Sequence, residues 1–498
     1  MQGFTYIDLA ILIVYLAAVL FAGLHFAKKE MKGKEYFKSD GTVPWWVTSV
    51  SIFATLLSPI SFLSLAGNSY AGTWIMWFAQ LGMLLAIPLT IKFFLPIYSK
   101  LDIDTAYHYL ELRFNSKGLR VLGAVMFIIM YLPCMVLSSL MGINVNILII
   151  IMGIIAIIYS YTGGLKSVLW TDFIQGSVLL VGVTFGLIFL IAHLDGGIGA
   201  IFHEMSAGHK FLAVDQPIFN ANILKDSVFL MIVGAGFNTM GSYVSSQDIV
   251  QRFTTTTDTK KLNKMMLTNG GLSIFIATVF YLIGTGLYVF YQVQGNQLPP
   301  AAQQDQIFAS WIAFELPVGI TGLLLAAIYA AAQSTLSTGL NSVASSWTLD
   351  IQARLSKKEL SFEKQTKIGQ YVSLLVGIFS IVVAMVLANG GVKSAYEWFN
   401  GFMGLVLGIL IGTFILGAFT KVANTTGAVC AFIAASAVMV GIKYVIPVVA
   451  PEVTISIWSY SIISIVVSLV VGLPASIISR KVKGDTSVPA QYTTIYKN

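Results

Sequence analysis

The sequence predicts an all-α polytopic membrane protein that forms a single integral membrane domain over residues 1–498. Its residues are 56% hydrophobic and only 10% charged, and its mean hydropathy is +0.81; chains that cross a membrane many times have this composition. Apolar runs long enough for a membrane helix recur along the whole sequence. The basic residues are concentrated in alternate connections between these runs, as expected for a chain that threads back and forth across a bilayer.

Thirteen apolar runs are predicted to cross the membrane. They are residues 6–26, 45–70, 74–98, 119–140, 146–161, 169–194, 227–250, 266–291, 317–347, 368–388, 396–417, 425–447 and 456–478. The N-terminus lacks the basic region of a cleavable signal, so the first run is expected to remain as a helix.

The charge distribution predicts the orientation of the chain in a cell membrane. Of the 29 Lys and Arg residues, 25 fall on one side of the predicted topology, the exceptions being Lys210, Lys225, Lys393 and Lys443. An excess of positive charge marks the cytoplasmic side, so the N-terminus is predicted outside and the C-terminus inside. Topology therefore explains the net charge of +7 without a nucleic-acid partner. A monomer surrounded by lipid is expected.

The second span contains a predicted break at Pro59. Proline lacks an N–H, and its ring crowds the carbonyl four residues earlier, so the helix must kink or open there. Irregular backbone at membrane depth is tolerated only where protein or a water-filled cavity receives it. Ser58 and Ser61 flank the break, and the pattern is typical of a site for a small cation and a solute. The alternative is a proline kink without a ligand.

A second interruption is predicted in the seventh span, which carries Gly234, Gly236 and Gly241. Broken helices at corresponding places in two halves indicate an inverted repeat with its site at the interface. The predicted halves are residues 45–194 and 227–417, with peripheral helices at 6–26 and 425–478. The glycines are alternatively plain helix-packing positions.

The ninth span carries a polar stripe. Its members recur at intervals of three or four residues and therefore share one helix face: Ser334, Ser337, Thr338, Asn341 and Ser345. Such hydroxyls either pack helices together or bind a hard cation such as Na+, which prefers oxygen ligands. The sequence has only two cysteines and no clustered histidines or paired carboxylates, which argues against a transition metal.

Three further polar positions are candidates for a role in binding. Asp172 begins the sixth span; an ionisable residue in a membrane helix is a functional candidate, although a helix N-cap is the alternative. Gln80 is an isolated polar residue in an apolar run, and it either binds a solute or bonds to a neighbouring helix. Asp248 and Arg252 are four residues apart, so we predict an ion pair between them at a cytoplasmic helix end.

Four motifs in this sequence resemble those of the sodium/solute symporter family, most of all its sialic acid symporters. They are Phe-Ala-Thr-Leu-Leu-Ser-Pro-Ile-Ser at 53–61, Tyr-Thr-Gly-Gly-(x)5-Trp-Thr-Asp-(x)2-Gln at 161–175, Ser-Gln-Asp-Ile-Val-Gln-Arg at 246–252, and Ala-Ala-Ala-Gln-Ser-Thr-Leu-Ser-Thr at 330–338. The resemblance implies a LeuT-like fold of two inverted five-helix repeats.

The resemblance also implies the functional residues. One sodium ion would be held by the carbonyls of Ala54, Leu57 and Ala331 and the hydroxyls of Ser334 and Thr335. A second ion would lie near Asp172, Ser337 and Thr338. Solute contacts would fall on Ser58, Ser61 and Gln80. The expected activity is sodium-driven symport of a small polar solute, with sialic acid ranked first, and not an enzymatic reaction.

One departure from the family puts the substrate in doubt. Between Ile129 and Met130 the fourth span lacks about nine residues that the relatives carry, including an arginine that pairs with the sugar carboxylate. The first basic residue after Arg120 is Lys166, so this helix offers no guanidinium. The alternatives are a symporter of the same fold for proline, a neutral sugar or a vitamin anion, and, less favoured, a polytopic membrane enzyme or sensor.

Overall fold

A computed structural model describes residues 5–27, 34–140, 146–222, 224–298, 306–389, 395–483 and 490–494. Helices make up most of these residues, and the described part of the chain contains no strand. The all-α prediction is therefore confirmed.

Twenty-one α-helices follow one another along the described chain, and most of the longer ones coincide with the predicted spans. The first ten are α1 Tyr6–Phe26, α2 Lys34–Lys38, α3 Trp45–Leu56, α4 Pro59–Ala71, α5 Met83–Phe93, α6 Leu95–Leu101, α7 His108–Phe114, α8 Lys117–Leu140, α9 Asn146–Ala192 and α10 Gly197–Ser206. The others are α11 Val228–Ser245, α12 Gln247–Phe253, α13 Thr259–Tyr288, α14 Ile307–Phe314, α15 Ile320–Ser345, α16 Ala353–Leu355, α17 Phe362–Asn389, α18 Ala395–Phe419, α19 Thr425–Val440, α20 Ile446–Val449 and α21 Tyr460–Lys483. Short 3₁₀ segments lie at Trp74–Gly82, Ile457–Ser459 and Ala490–Tyr492, and π-helical turns at Val289–Val293, Ser346–Gln352 and Gly441–Val445.

The number of membrane spans is lower than predicted when only uninterrupted apolar helices are counted. Among the described residues nine helices are long and apolar enough to cross a bilayer, or ten if the bent pair α3 and α4 is one span. One of them, Ile149–Ala192, covers two predicted spans because α9 continues through a kink at Gly164, where φ is +55°. A Cβ at Gly164 would lie 2.3 Å from the carbonyl oxygen of Tyr36, so glycine is required there. The count of thirteen is not confirmed.

The predicted break in the second span is confirmed. α3 and α4 meet at an angle of 65°, and the two residues between them, Leu57 and Ser58, have extended backbone. Pro59 is the first residue of α4, where its missing N–H costs nothing because the first N–H groups of a helix have no partner within it. Ser58 caps this helix by accepting a hydrogen bond from the Ser61 N–H at 3.3 Å.

The seventh span is also interrupted, but not at its glycines. α11 is continuous to Ser245, and the break falls at Ser246, whose backbone is extended. Gly234 and Gly236 are packing positions: an added Cβ would lie 2.0 Å from the Trp458 carbonyl oxygen in the first case and 2.8 Å from Leu85 Cδ2 in the second. The glycines therefore permit close contact between elements.

α15 is the central helix of the molecule. It packs against α9, α8, α17 and α1, and every residue from Leu324 to Ser345 is buried. Because its polar stripe is enclosed by other helices, each hydroxyl must find a partner inside the protein. α13 packs against both halves of the broken span.

Buried charges join α7, α8 and the π-helical turn that follows α15. Arg120 Nε lies 2.5 Å from Asp350 Oδ1, and its Nη1 lies 2.9 Å from Glu111 Oε2. Thr105 also donates to Asp350 Oδ1, at 2.5 Å. Arg120 and Asp350 are both buried, so this network ties α7 and α8 to the turn that follows α15. No pattern in the sequence predicted it.

Candidate functional site

A cavity of about 260 Å³ opens at the break between α3 and α4. It is lined by the broken span of α3 and α4, the Trp74–Gly82 segment, α5, α8, α11, α12, α13, α15 and α18. Its polar lining consists of Thr55, Ser58, Ser61, Gln80, Tyr131, Asn238, Thr239, Ser242, Ser246, Asp248, Ser273 and Thr335, with Trp458 at one side. All three predicted solute-binding residues, Ser58, Ser61 and Gln80, therefore line one cavity.

The break itself places the two serines. Ser58 Oγ lies 3.3 Å from Ser61 Oγ, because the residue that caps α4 and a residue one turn into that helix lie on the same face. Gln80 reaches the cavity from the Trp74–Gly82 segment, whose other side chains include two tryptophans and a phenylalanine. The cavity thus offers hydroxyl and amide groups set in an apolar wall, an arrangement typical of sites for small polar solutes.

The predicted ligands of the first cation lie together beside this cavity. Ser334 Oγ donates to the carbonyl oxygens of Ala54 and Ala331, at 3.1 Å in each case. Thr335 Oγ1 donates to the Ala331 carbonyl at 3.0 Å. Leu57 ends α3 with extended backbone and lines the cavity. Ser334 thus joins a carbonyl of α3 to a carbonyl of α15, and carbonyl and hydroxyl oxygens are the donors that a hard cation prefers.

The predicted ligands of a second cation also lie together, around Asp172. Ser337 Oγ is 3.4 Å from Asp172 Oδ1, and Thr338 Oγ1 is 3.3 Å from Oδ2. Ser51 of α3, which the sequence analysis did not name, donates to Oδ2 at 2.6 Å. The Asp172 side chain is fully buried, so it is not a solvated carboxylate at a membrane surface.

The predicted ion pair between Asp248 and Arg252 is wrong. Arg252 Nη2 lies 2.7 Å from Asp172 Oδ2 and 2.6 Å from Thr338 Oγ1, and Nε donates to Ser51 at 2.8 Å. Its Nη1 contacts Asp248 only through the backbone carbonyl of that residue. A guanidinium therefore takes one carboxylate oxygen and one hydroxyl of the predicted second cation site.

Asp248 lies in the cavity and not at the position predicted for it. It was assigned to a cytoplasmic helix end, but the break at Ser246 directs its side chain into the cavity. The Ser246 hydroxyl donates to Asp248 Oδ1. The signal available in the sequence was a carboxylate inside the predicted span 227–250, and the spacing to Arg252 obscured it.

The short fourth span is a continuous helix, α8, of 24 residues. It reaches the cavity with Tyr131, whose ring lies 5.2 Å from that of Phe127. Among the described residues that line the cavity there is no lysine, arginine or histidine. The guanidinium that α8 does carry, Arg120, is held by Asp350 and Glu111 and does not line the cavity.

A family model described as "Sodium:solute symporter family" matches residues 36–435. The chain belongs to this family. The resemblance inferred from the four motifs is therefore confirmed, and membership of a symporter family sets the chain apart from enzymes.

Two curated members of the sodium:solute symporter family are similar over most of their length. A sodium/sialic acid symporter of Proteus mirabilis is 35% identical in an alignment of 453 residues that covers 89% of this chain and 91% of that protein. A sodium/glucose cotransporter of Vibrio parahaemolyticus is 27% identical over 87% of this chain and 84% of its own length.

Solved structures agree with this assignment. The structure titled "Substrate-bound outward-open state of a Na+-coupled sialic acid symporter reveals a novel Na+-site" has a TM-score of 0.87 and 32% identity, over 96% of this chain and 98% of that one. A nucleobase-cation-symport-1 family transporter, Mhp1, has a TM-score of 0.54 at 14% identity, over 89% of this chain and 93% of its own, and shows likeness of fold alone. The LeuT-like fold prediction is confirmed.

Proposed function

We propose that this protein is a sodium-coupled symporter that imports a small polar solute, with sialic acid as the first-ranked substrate. The observation that carries the proposal is the position of Thr335. Its hydroxyl belongs to the cluster formed by the Ala54 and Ala331 carbonyls and Ser334, and its side chain also lines the cavity that contains Ser58, Ser61 and Gln80. An ion and a solute bound at these places would be neighbours.

Coupling would arise because the sodium ion and the solute would both bind against the broken span of α3 and α4. A sodium ion would replace the hydrogen bonds from Ser334 and Thr335 to the α3 and α15 carbonyls and would exchange its hydration shell for fixed oxygens. A solute in the cavity would contact the same broken helix. Binding of either ligand would therefore favour the arrangement that the other requires, which is the physical content of coupling between two sites.

The driving force of one sodium ion is sufficient for uptake. Moving one charge inward yields about 2.3 kcal/mol per 100 mV, and a tenfold concentration gradient adds about 1.4 kcal/mol. For a neutral solute one ion would thus support roughly 500-fold accumulation, whereas for an anion such as sialic acid the two charges cancel and the concentration gradient alone would support about tenfold accumulation. A second ion at the Asp172 cluster would multiply either limit by about 500, but it would have to share Asp172 with Arg252.

The arrangement of the whole chain belongs to the same proposal. Residues 45–194 and 227–417 would form the two inverted repeats, each opening with a broken span. The protein would act as a monomer in the cell membrane, with its N-terminus outside and its C-terminus in the cytoplasm.

Uptake into proteoliposomes tests the proposed function. Labelled sialic acid, proline and glucose would each be supplied with an inward sodium gradient or with potassium on both sides. We expect sialic acid to accumulate with sodium only, and a Ser58→Ala variant to require more sialic acid for half-maximal uptake. Accumulation of proline or glucose instead would reject sialic acid but keep the symporter; no sodium-driven uptake of any of them would reject both.

A neutral sugar is the second candidate substrate. It is favoured by the absence of a basic side chain among the described residues of the cavity lining, where Asp248 is the charged group. A neutral solute would meet the same hydroxyls and amides without needing a counter-charge.

A further inference from the structure

We propose that Asp248 gives the central cavity a negative potential, so that binding of an anionic solute depends on a bound cation much more steeply than binding of a neutral solute of the same shape. The proposal concerns the same cavity as the proposed function and identifies the class of ligand that it accepts. It starts from the position of Asp248, which lines the cavity while only 5% of the residue is exposed.

The Asp248 carboxylate does not form an ion pair with Arg252, the basic residue one turn further along α12. The Arg252 guanidinium holds Asp172 Oδ2 at 2.7 Å, Thr338 Oγ1 at 2.6 Å and Ser51 Oγ at 2.8 Å. Its contact with Asp248 is with the backbone carbonyl, and the Asp248 carboxylate accepts hydrogen bonds from the Ser246 hydroxyl and the Ile249 backbone N–H. Because the group of three residues contains two carboxylates and one guanidinium, it keeps one net negative charge when its members are ionised.

That charge acts on the cavity with little screening. Asp172 and Arg252 are fully buried, as is most of Asp248, and a charge interaction inside a protein is several times stronger than in water. After the break at Ser246, the Asp248 side chain lines the same cavity as Ser58, Ser61 and Thr335. A negative ligand placed there would be repelled, and a cation would be attracted.

The potential explains how an anion could bind without an arginine. The cation cluster of Ala54, Ala331, Ser334 and Thr335 adjoins the cavity through Thr335. A sodium ion held there would offset the Asp248 charge, so that the carboxylate of a solute would no longer be repelled from the cavity. If sialic acid is the substrate, its binding would therefore depend on sodium much more steeply than the binding of its neutral methyl ester.

The competing role for Asp248 is purely structural. It lies in the first turn of α12, where a carboxylate is stabilised by the helix N-terminus. In that role Asp248 would hold the seven-residue helix in place, and replacing it with asparagine, which is neutral and of the same shape, would leave the preference of the cavity for ligand charge unchanged.

Thiol labelling measures the potential without assuming a substrate. Cys134 and Cys430 would first be replaced by serine, and a single cysteine introduced by Ser61→Cys. The rates of modification by a cationic and by an anionic methanethiosulfonate of similar size would be compared in sodium-free buffer. We expect the cationic-to-anionic rate ratio to fall about tenfold when Asp248→Asn is added, in keeping with one charge at short range in a partly dry site.

Three controls make the result decisive. Asp215→Asn removes an exposed carboxylate and should leave the ratio unchanged, and Asp248→Glu should keep it high. If Asp248→Asn does not fold, the ratio at Ser61→Cys is compared with that of an exposed Ser361→Cys variant, which should be about tenfold lower. An unchanged ratio, equal ratios at the two positions, or no reaction of Ser61→Cys with either reagent would overturn the proposal.

Binding of sialic acid and its methyl ester tests the consequence for the solute. Calorimetry with and without sodium should show that sodium strengthens binding of the acid at least tenfold more than binding of the ester, and that Asp248→Asn removes most of this difference. Equal sodium dependence of the two ligands would contradict the role of Asp248. If neither ligand binds, sialic acid is rejected as the substrate, whereas the labelling ratio still decides the potential.

Discussion

Thr335 belongs to both the cavity and the cation cluster, so removing its hydroxyl tests the proposed sodium site. Replacing Thr335 with alanine removes one oxygen of about five that the proposed site offers. We expect the sodium concentration for half-maximal uptake to rise several-fold, while Thr335→Ser, which keeps the hydroxyl, stays close to the wild type. Sodium-dependent uptake in proteoliposomes provides the measurement. Unchanged sodium dependence in the alanine variant would remove this cluster from the coupling mechanism.

Asp172 tests whether a second sodium ion is bound. Asp172→Asn removes the charge that an ion would share with Arg252, and it also leaves a buried guanidinium unpaired, which typically costs about 3–5 kcal/mol. The single variant is therefore expected to lose thermal stability as well as sodium cooperativity. The double variant Asp172→Asn with Arg252→Gln removes both charges and should recover stability without recovering cooperativity.

The Hill coefficient for sodium in that double variant separates the two roles of Asp172. A coefficient that falls from above one toward one supports a second ion at this cluster. A coefficient equal to the wild-type value would mean that Asp172 serves Arg252 alone, and the two-sodium hypothesis would then be rejected.

The polar face of α15 could be predicted from the sequence, but the partner of Arg252 could not. The spacing of Ser334, Ser337 and Thr338 predicted one polar helix face, and the structure turns that face toward α3 and Asp172. The partner of Arg252 was missed because a carboxylate four residues away satisfies the local pairing rule. The true partner is 80 residues away, and only the packed fold brings the two together.

Local chemistry predicted one helix break well and the other poorly. Pro59 enforces its break because no uninterrupted helix accommodates its ring without losing a hydrogen bond. The break at Ser246 has no such residue, since serine is compatible with helix and extended backbone alike. The glycines that suggested an interruption instead let the Trp458 backbone and the Leu85 side chain approach α11, which a sequence pattern does not distinguish from flexibility.

The helix α8 provides a test of the missing arginine. Inserting about nine residues after Ile129 would add roughly two and a half helical turns and so rotate Tyr131 and Met135 to the opposite face. Tyr131→Arg is the sharper change, because Tyr131 already lines the cavity. A charge-assisted hydrogen bond contributes about 1.5–3 kcal/mol, so we expect binding of sialic acid to strengthen about tenfold to 150-fold.

The matched control for that change is Tyr131→Gln, which is polar but uncharged. The methyl ester of sialic acid should gain nothing from either variant, because it has no carboxylate to pair. Calorimetry on the acid and the ester provides the comparison. An equal gain for glutamine and arginine, or for acid and ester, would show that charge recognition at α8 does not limit binding.

For the whole molecule, composition was sufficient to predict an all-α membrane protein and the family motifs implied the LeuT-like fold, whereas the predicted number of spans was not confirmed. Hydropathy locates apolar runs, but a kinked helix such as α9 reads as two runs. The cavity was predicted only in part, since its polar residues come from segments as distant as Ser58 and Ser273. Their meeting depends on how whole helices pack, for which no local signal exists.

The orientation of the molecule in the membrane determines whether an inward sodium gradient drives import. The positive-inside distribution predicts that Asp215 faces the exterior and that Ser361, in the basic connection before α17, faces the cytoplasm. Both residues are exposed, so Asp215→Cys and Ser361→Cys in a background without Cys134 and Cys430 form a matched pair. A membrane-impermeant maleimide applied to intact cells should label only the Asp215 variant, and the Ser361 variant should react after permeabilisation. The reverse pattern would place the N-terminus inside and contradict the predicted topology.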